Sequence, residues 1–175
     1  MLLRPPRPSD IDDRLRYPID PAEEDLYGGN WRRLWKGQRA HTREHLAAQQ
    51  AAAAVPAGHL NWCIELEGRA VGGCGLRVDT GNHRASYWVG IFATELRGQG
   101  LGRELTRLVA SWGFQTLGLH RIELEVLTTN ERAIRCYEAV GFRREGVRRE
   151  AELYPDGWKD FLYMSLLASE WMASG

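Results

Sequence analysis

From residue 59 onward, hydrophobic and polar positions alternate or recur with clear periods, whereas the first third of the chain does not. "HLNWCIELE", "RAVGGCGLRV" and "RASYWVGIF" are consecutive strand-like runs, and Glu67-Gly68 joins the first two as a hairpin. In "GLGRELTRLVASWGFQTLG", Leu101, Leu105, Leu108 and Trp112 fall on one face of a helix that ends near Gly118. "HRIELEVL" alternates as a strand, with Ile122, Leu124 and Val126 on one face and Glu123 and Glu125 on the other. "NERAIRCYEAV" predicts a short helix with Asn130 as N-cap and Gly141 as its stop. Two more strands, around 142–152 and 158–167, flank the turn "YPDGW".

The segment before residue 59 reads differently. "SDIDDRLRYPIDPAEEDLYGGNWRRLWKGQ" predicts two or three short helical pieces broken at Pro18, Pro21 and Gly28-Gly29. "HLAAQQAAAAVPAGH" favours helix until Pro56 and Gly58 stop it. The order is a helical start, three strands, a helix, a strand, a helix and two strands. That order makes the fold α+β (mixed α/β), with one parallel crossover around the long helix.

Length and composition narrow the class. The 175 residues suit one domain, 1–175, with a divergent helical region over 1–58 and a core over 59–171. Lys+Arg and Asp+Glu both total 23, so no general attraction to nucleic acid or anionic membrane is expected. No apolar run is long enough to span a bilayer, and "MLLRPPRPSD" lacks the apolar core of a signal peptide; a cytoplasmic protein is expected. Cys63, Cys74 and Cys136 are odd in number with no C-x-x-C spacing, which argues for reduced thiols and against a thiolate metal site.

Candidate chemistry starts at "ELRGQGLGREL". Gly98, Gly100 and Gly102 lie between a strand and a helix, where unpaired N–H groups and the helix dipole favour a phosphate. A P-loop would end Gly-Lys-Ser/Thr, but this loop ends Gly102-Arg103-Glu104. A dinucleotide fingerprint would need glycine where Arg103 or Leu105 stands, although Glu123 sits near the spacing of its ribose-binding acid. A loop with no ligand also fits this stretch taken alone. "HTREH" spells an inverted zinc-protease motif through His41, Glu44 and His45, but no third ligand accompanies it, so no metal is assigned.

"RGQGLG" resembles the Gln/Arg-x-x-Gly-x-Gly/Ala loop of the GNAT N-acetyltransferases, and "NERAIRCYEAVGF" matches their second motif through Asn130, Ala133, Ile134, Tyr137, Gly141 and Phe142. The ending "REGVRREAELYPDGWKDFLYMSLLASEW" is similar to the branch of ribosomal-protein N-terminal acetyltransferases and spermidine acetyltransferases. This resemblance implies a mixed twisted sheet of about six or seven strands, splayed between strands 4 and 5 and flanked by about four helices. It implies acetyl-CoA as acetyl donor. Its pyrophosphate would be held by Arg97, Gly98, Gln99, Gly100, Leu101, Gly102 and Arg103. Free amides at Ile91, Phe92 and Ala93 would meet the pantetheine arm and the thioester oxygen, and Asn130 with Ala133 would hold the arm from the other side.

Tyr137 matches the general acid of the family, and Glu125 stands where the ribosomal alanine-acetyltransferase type carries its base. Glu123 or a water relay are the other sources of the base. The acceptor is a primary amine, on a peptide N-terminus, a polyamine or another small molecule. Trp31, Trp35 and acidic "AEEDLYGG" fall in the region that shapes the acceptor pocket in this family. A CoA-binding sensor without turnover is the rival reading. An edge strand or the C-terminal hairpin could serve a homodimer, as happens in this branch.

Overall fold

A computed structural model describes residues 1–17, 58–154 and 156–173. Its elements are β1 (Leu2–Arg4), α1 (Asp10–Arg16), β2 (His59–Leu66), β3 (Arg69–Asp79), β4 (Arg84–Ile91), a 3-10 turn (Thr94–Leu96), α2 (Leu101–Gln115), β5 (Arg121–Leu127), α3 (Glu131–Glu138), β6 (Arg143–Tyr154), β7 (Gly157–Leu167) and α4 (Ala168–Ala173). The strands form a mixed sheet in the order β1-β2-β3-β4-β5-β7-β6, with the parallel pair at β4-β5. The chain divides into two compact units, Met1–Arg77 with Trp88–Leu96, and Val78–Tyr87 with Arg97–Gly175.

In the first unit, β2 and β3 form the expected hairpin, and Glu67 and Gly68 both take positive φ, as a tight two-residue turn requires. The sequence pattern does not mark strand β1, because three residues followed by Pro5-Pro6 carry no period. A buried ion pair supports it. Arg4 donates to both oxygens of Asp10 at 2.9 and 2.6 Å and also bonds Glu65, and Asp10 accepts the Arg7 N–H at 2.7 Å. Asp13 of α1 accepts the Ala70 N–H of β3 at 2.9 Å, which fixes the short helix on the hairpin.

In the second unit, β5 is the organising strand. It pairs in parallel with β4 over Arg84–Arg121, Ala85–Ile122 and Ser86–Glu123, and antiparallel with β7 along its whole length. Ile122, Leu124 and Val126 are buried on one face, with Met164 and Leu166 of β7 opposite them. Helix α2 covers the same face at β4, where Tyr87 Oη and Thr106 Oγ1 lie 3.3 Å apart. The buried residues of α2 are Leu105, Thr106, Val109, Ala110 and Gly113, not the expected line through Leu108, which is 47% exposed. Three residues beyond Leu105 turn the helix back by about 60°, away from a stripe that runs through Val109 and Ala110.

The other face of β5 is charged. Glu123 is buried there, with Arg121 donating to it at 2.9 Å and Arg84 standing 3.6 Å away. Arg121 also donates twice to Glu145 of β6 at 2.6 Å, and Ser165 Oγ donates to Glu145 at 2.7 Å. All three cysteines are free, and burial raises their thiols above the ordinary range, Cys63 and Cys74 to about 12.

Arg121, with Ser165, pulls the Glu145 carboxyl down from its ordinary 4.5 to about 2. A depressed folded-state value means that Glu145 stabilises fully above 4.5 and loses that contribution as the pH falls toward 2. Urea unfolding measured from pH 5 to 2 is therefore expected to show a shallower loss of stability in Glu145→Gln than in the parent protein. In the first unit, Arg4→Ala leaves Asp10 buried without its cation and is expected to cost about 3 kcal/mol in the same assay.

Candidate functional site

The glycine loop lies in the second unit. Gly98 and Gly100 adopt φ of +77° and +87°, and a Cβ added at either would meet nothing within 4 Å. Backbone conformation, not crowding by the protein, is therefore what calls for glycine, and the space above the loop is open. Gly100 is the N-cap of α2 and supplies no capping side chain. The first helical bond runs from Glu104 N–H to the Gly100 carbonyl, at 3.1 Å. The N–H groups of Leu101, Gly102 and Arg103 precede that bond and point out of the helix start, where the dipole is positive. Thr106 Oγ1 donates to the Gly102 carbonyl at 2.7 Å and braces the first turn. Arg97 is half-buried before the loop, whereas Gln99 and Arg103 are exposed.

Helix α3 follows β5 on the same side of the sheet. Arg144, which shares the Met164 face, donates to Glu138 at 2.7 Å, and Gly141 sits against Leu166. Asn130 caps this helix as expected, its side-chain oxygen accepting the Ala133 N–H at 3.1 Å. Helices α2 and α3 pack against each other, which brings Arg103 at the start of α2 near Cys136 of α3. Next to Cys136, Tyr137 stacks obliquely on buried Phe142, with ring centroids 6.0 Å apart. Tyr137 is half-buried, and desolvation of its phenol raises the pKa above the ordinary 10, so the proton stays on at neutral pH.

Glu125 projects from the opposite face of β5. It pairs in register with Tyr163 of β7, and Arg148 Nη1 of β6 donates to both of its oxygens at 2.6 and 2.7 Å. Glu123, the other carboxylate on this face, is held by Arg121 and Arg84. Of the two candidate bases, Glu123 is the more buried and the more tightly enclosed.

In the first unit, Ile91 ends β4 half-buried, and Ala93 is fully buried. The amides of Phe92 and Ala93 both donate to the Val71 carbonyl, at 2.8 and 3.3 Å. The expectation of free amides is corrected at these two residues, because β3 keeps β4 paired beyond its last strand residue. The Arg14 guanidinium of α1 lies 4.2 Å over the Phe92 ring, a contact that no local sequence signal marks.

The model of the acetyltransferase (GNAT) domain family matches residues 1–143. This chain belongs to the GNAT acetyltransferase family. Among curated proteins, it is 32% identical over 90 residues to the spermidine N(1)-acetyltransferase of Vibrio cholerae, covering 51% of this chain and 52% of that protein. It is also 32% identical over 105 residues to YdaF of Bacillus subtilis, provisionally named a ribosomal N-acetyltransferase, covering 56% of this chain and 55% of that one. The chain thus spans about half the length of these curated relatives. Among solved structures, the Vibrio cholerae spermidine N-acetyltransferase in complex with CoA and spermine superposes with a TM-score of 0.78, at 20% identity, over 98% of this chain and 97% of that one. At that identity the likeness carries the fold.

The GNAT motifs thus fall on two neighbouring helix starts of one unit. The open loop, its two left-handed glycines, the outward N–H groups and two flanking arginines fit the pyrophosphate of acetyl-CoA. Among the described residues, no group of three or more His, Cys, Asp or Glu could hold a metal ion, and no helix is long and apolar enough to cross a membrane. His41, Glu44, His45, Trp31, Trp35 and the acidic 22–29 stretch lie outside the described residues.

Two substitutions check this local architecture. Gly100→Ala forces a side chain into positive φ and is expected to destabilise by about 1 kcal/mol. Asn130→Ala removes the cap of α3 at about the same cost. Both are read as shifts of the urea midpoint. Gly100→Ala should also weaken acetyl-CoA binding in calorimetry, since the loop backbone would hold the pyrophosphate.

Proposed function

We propose that this chain is an acetyl-CoA-dependent N-acetyltransferase that acetylates a primary amine directly, with residues 1–175 working as one domain. The first 58 residues then shape the acceptor side, and 59–171 form the donor-binding core. The observation that carries the reading is the open glycine loop at the start of α2 beside the Asn130-capped helix that bears Tyr137, in a chain of the GNAT family. The glycine loop, Asn130 and Tyr137 belong to the helix-covered face, whereas Glu125 stands on the opposite, charged face.

When bound, acetyl-CoA supplies an acetyl thioester and a thiolate leaving group. The chain's own groups supply the rest. Backbone N–H groups from Arg97 to Arg103 bind the donor's phosphates, and Asn130 and Ala133 at the start of α3 border its arm. The Phe92 and Ala93 amides serve Val71 and take no part here, which leaves Ile91 as the candidate from the end of β4. An alkylammonium is protonated at neutral pH and cannot attack, so Glu125 takes one proton from it and later releases that proton to solvent. The amine nitrogen then forms the new C–N bond as the C–S bond breaks. Tyr137 gives its proton to the departing sulfur and regains one from the acetylated nitrogen, so the phenol ends as it began. Cys136 lies inside α3 with its thiol held protonated by burial, which favours direct attack by the amine over an acetyl-cysteine intermediate.

The acceptor class follows the relatives only in outline. One is named for spermidine and another, provisionally, for a ribosomal substrate, so a polyamine and a peptide N-terminus are the two acceptors to try first. A homodimer is part of the proposal. Strand β6 lies at the sheet edge, and its first eight residues are exposed.

Acetyl-CoA is expected to raise the melting temperature, and thiol release should follow with spermidine or with peptides that begin in alanine or serine. Stabilisation with no release on any amine would instead indicate a CoA sensor. Tyr137→Phe should lower kcat by about a hundredfold and leave acetyl-CoA affinity unchanged. Unchanged kcat would remove Tyr137 from the mechanism.

A further inference from the structure

The charged face of β5 carries an ion pair whose geometry differs from the rest. Arg121 meets Glu145 with two nitrogens on two oxygens, the usual parallel fork. Arg148 meets Glu125 with one nitrogen seated between both oxygens, at 2.6 and 2.7 Å. A single cationic nitrogen bridging a carboxylate is how an alkylammonium sits, whereas a guanidinium normally uses two. The two side chains are also reachable, with Arg148 54% exposed and Glu125 32%. By contrast, the Glu123 side chain is 8% exposed between Arg121 and Arg84.

We propose that Arg148 is an internal stand-in for the acceptor's ammonium: it occupies Glu125 in the resting protein, and a cationic primary amine displaces it. The proposal rests on the reading of Glu125 as the base. It makes Arg148 a specificity-determining residue and names the acceptor class as amines that arrive protonated. The local pairing on this face supports the exchange. Glu123 is held by Arg121 and Arg84, Arg84 also meets Asp79 at 3.1 Å, Glu145 is held by Arg121, and Glu125 is held by Arg148. Swinging Arg148 out removes one positive charge from beside Glu125, which one ammonium restores. A neutral or anionic acceptor would leave Glu125 buried deeper without a cation. The exchange is also affordable in energy, because an exposed pair of this kind holds on only weakly.

The test uses the full chain without acetyl-CoA and follows binding of spermidine, and separately of an Ala-Ala-Ala tripeptide amide, by calorimetry. For a probe that binds, Arg148→Gln is expected to tighten affinity by about threefold, the size of an exposed ion pair. Arg148→Lys should fall between the two. In steady-state assays Arg148→Gln should lower the acceptor KM by a similar factor with kcat nearly unchanged, a split that a merely structural residue would not give. In a Glu125→Gln background, Arg148→Gln should change amine affinity no further. Unchanged or weaker binding of both probes by Arg148→Gln, or no binding by any variant, would overturn the proposal. Turnover separates this failure from that of the underlying reading. Wild-type turnover in Glu125→Gln removes Glu125 as the base, whereas a large loss there with unchanged amine affinity in Arg148→Gln removes only the stand-in.

Discussion

The alternation of β5 is the constraint on which the second unit depends. A strand turns successive side chains to opposite faces, and β5 is paired on both sides, so it cannot slip by one residue without exchanging its two faces. One face presents Ile122, Leu124 and Val126, whose burial holds the long helix and thereby the glycine loop at its start. The other presents Arg121, Glu123 and Glu125. The two sets of groups are thus separated by the thickness of one strand, and a single register fixes both.

Burying a carboxylate such as Glu123 costs several kcal/mol unless cations accompany it, which explains why Arg121 and Arg84 converge there. Arg121 then reaches across to Glu145, and Ser165 supplies a further donor, so the charged face is a connected ladder running from β4 to β6. Glu125 lies beyond this ladder and, among the described residues, pairs with the solvent-exposed Arg148. Of the two acids, Glu125 is the more exposed and the less enclosed. The first unit solves a similar problem by enclosing Arg4 between Asp10 and Glu65.

Much of the fold was legible because each element obeys a local rule. The β2–β3 hairpin declares itself through Glu67-Gly68, α3 through Asn130 and Gly141, and the β6–β7 hairpin through its Pro-Asp-Gly turn. The short β1 has no such mark, since its stability comes from a strand more than fifty residues away. Leu108 misled because a leucine repeat locates a stripe only to within about one residue, and the neighbours decide its centre.

What the sequence determined alone is the order of elements and the motif chemistry: a glycine loop before a helix, and a capped helix that carries a tyrosine. Both depend on residues close together in the chain, where φ preference and hydrogen-bond reach settle the outcome. The tertiary structure decided which amides and carboxylates are already engaged. Val71 takes the Phe92 and Ala93 amides, and Arg148 reaches Glu125 across 23 positions of sequence. Those partnerships follow from strand register, which sets neighbours across the sheet and leaves no trace in any single segment.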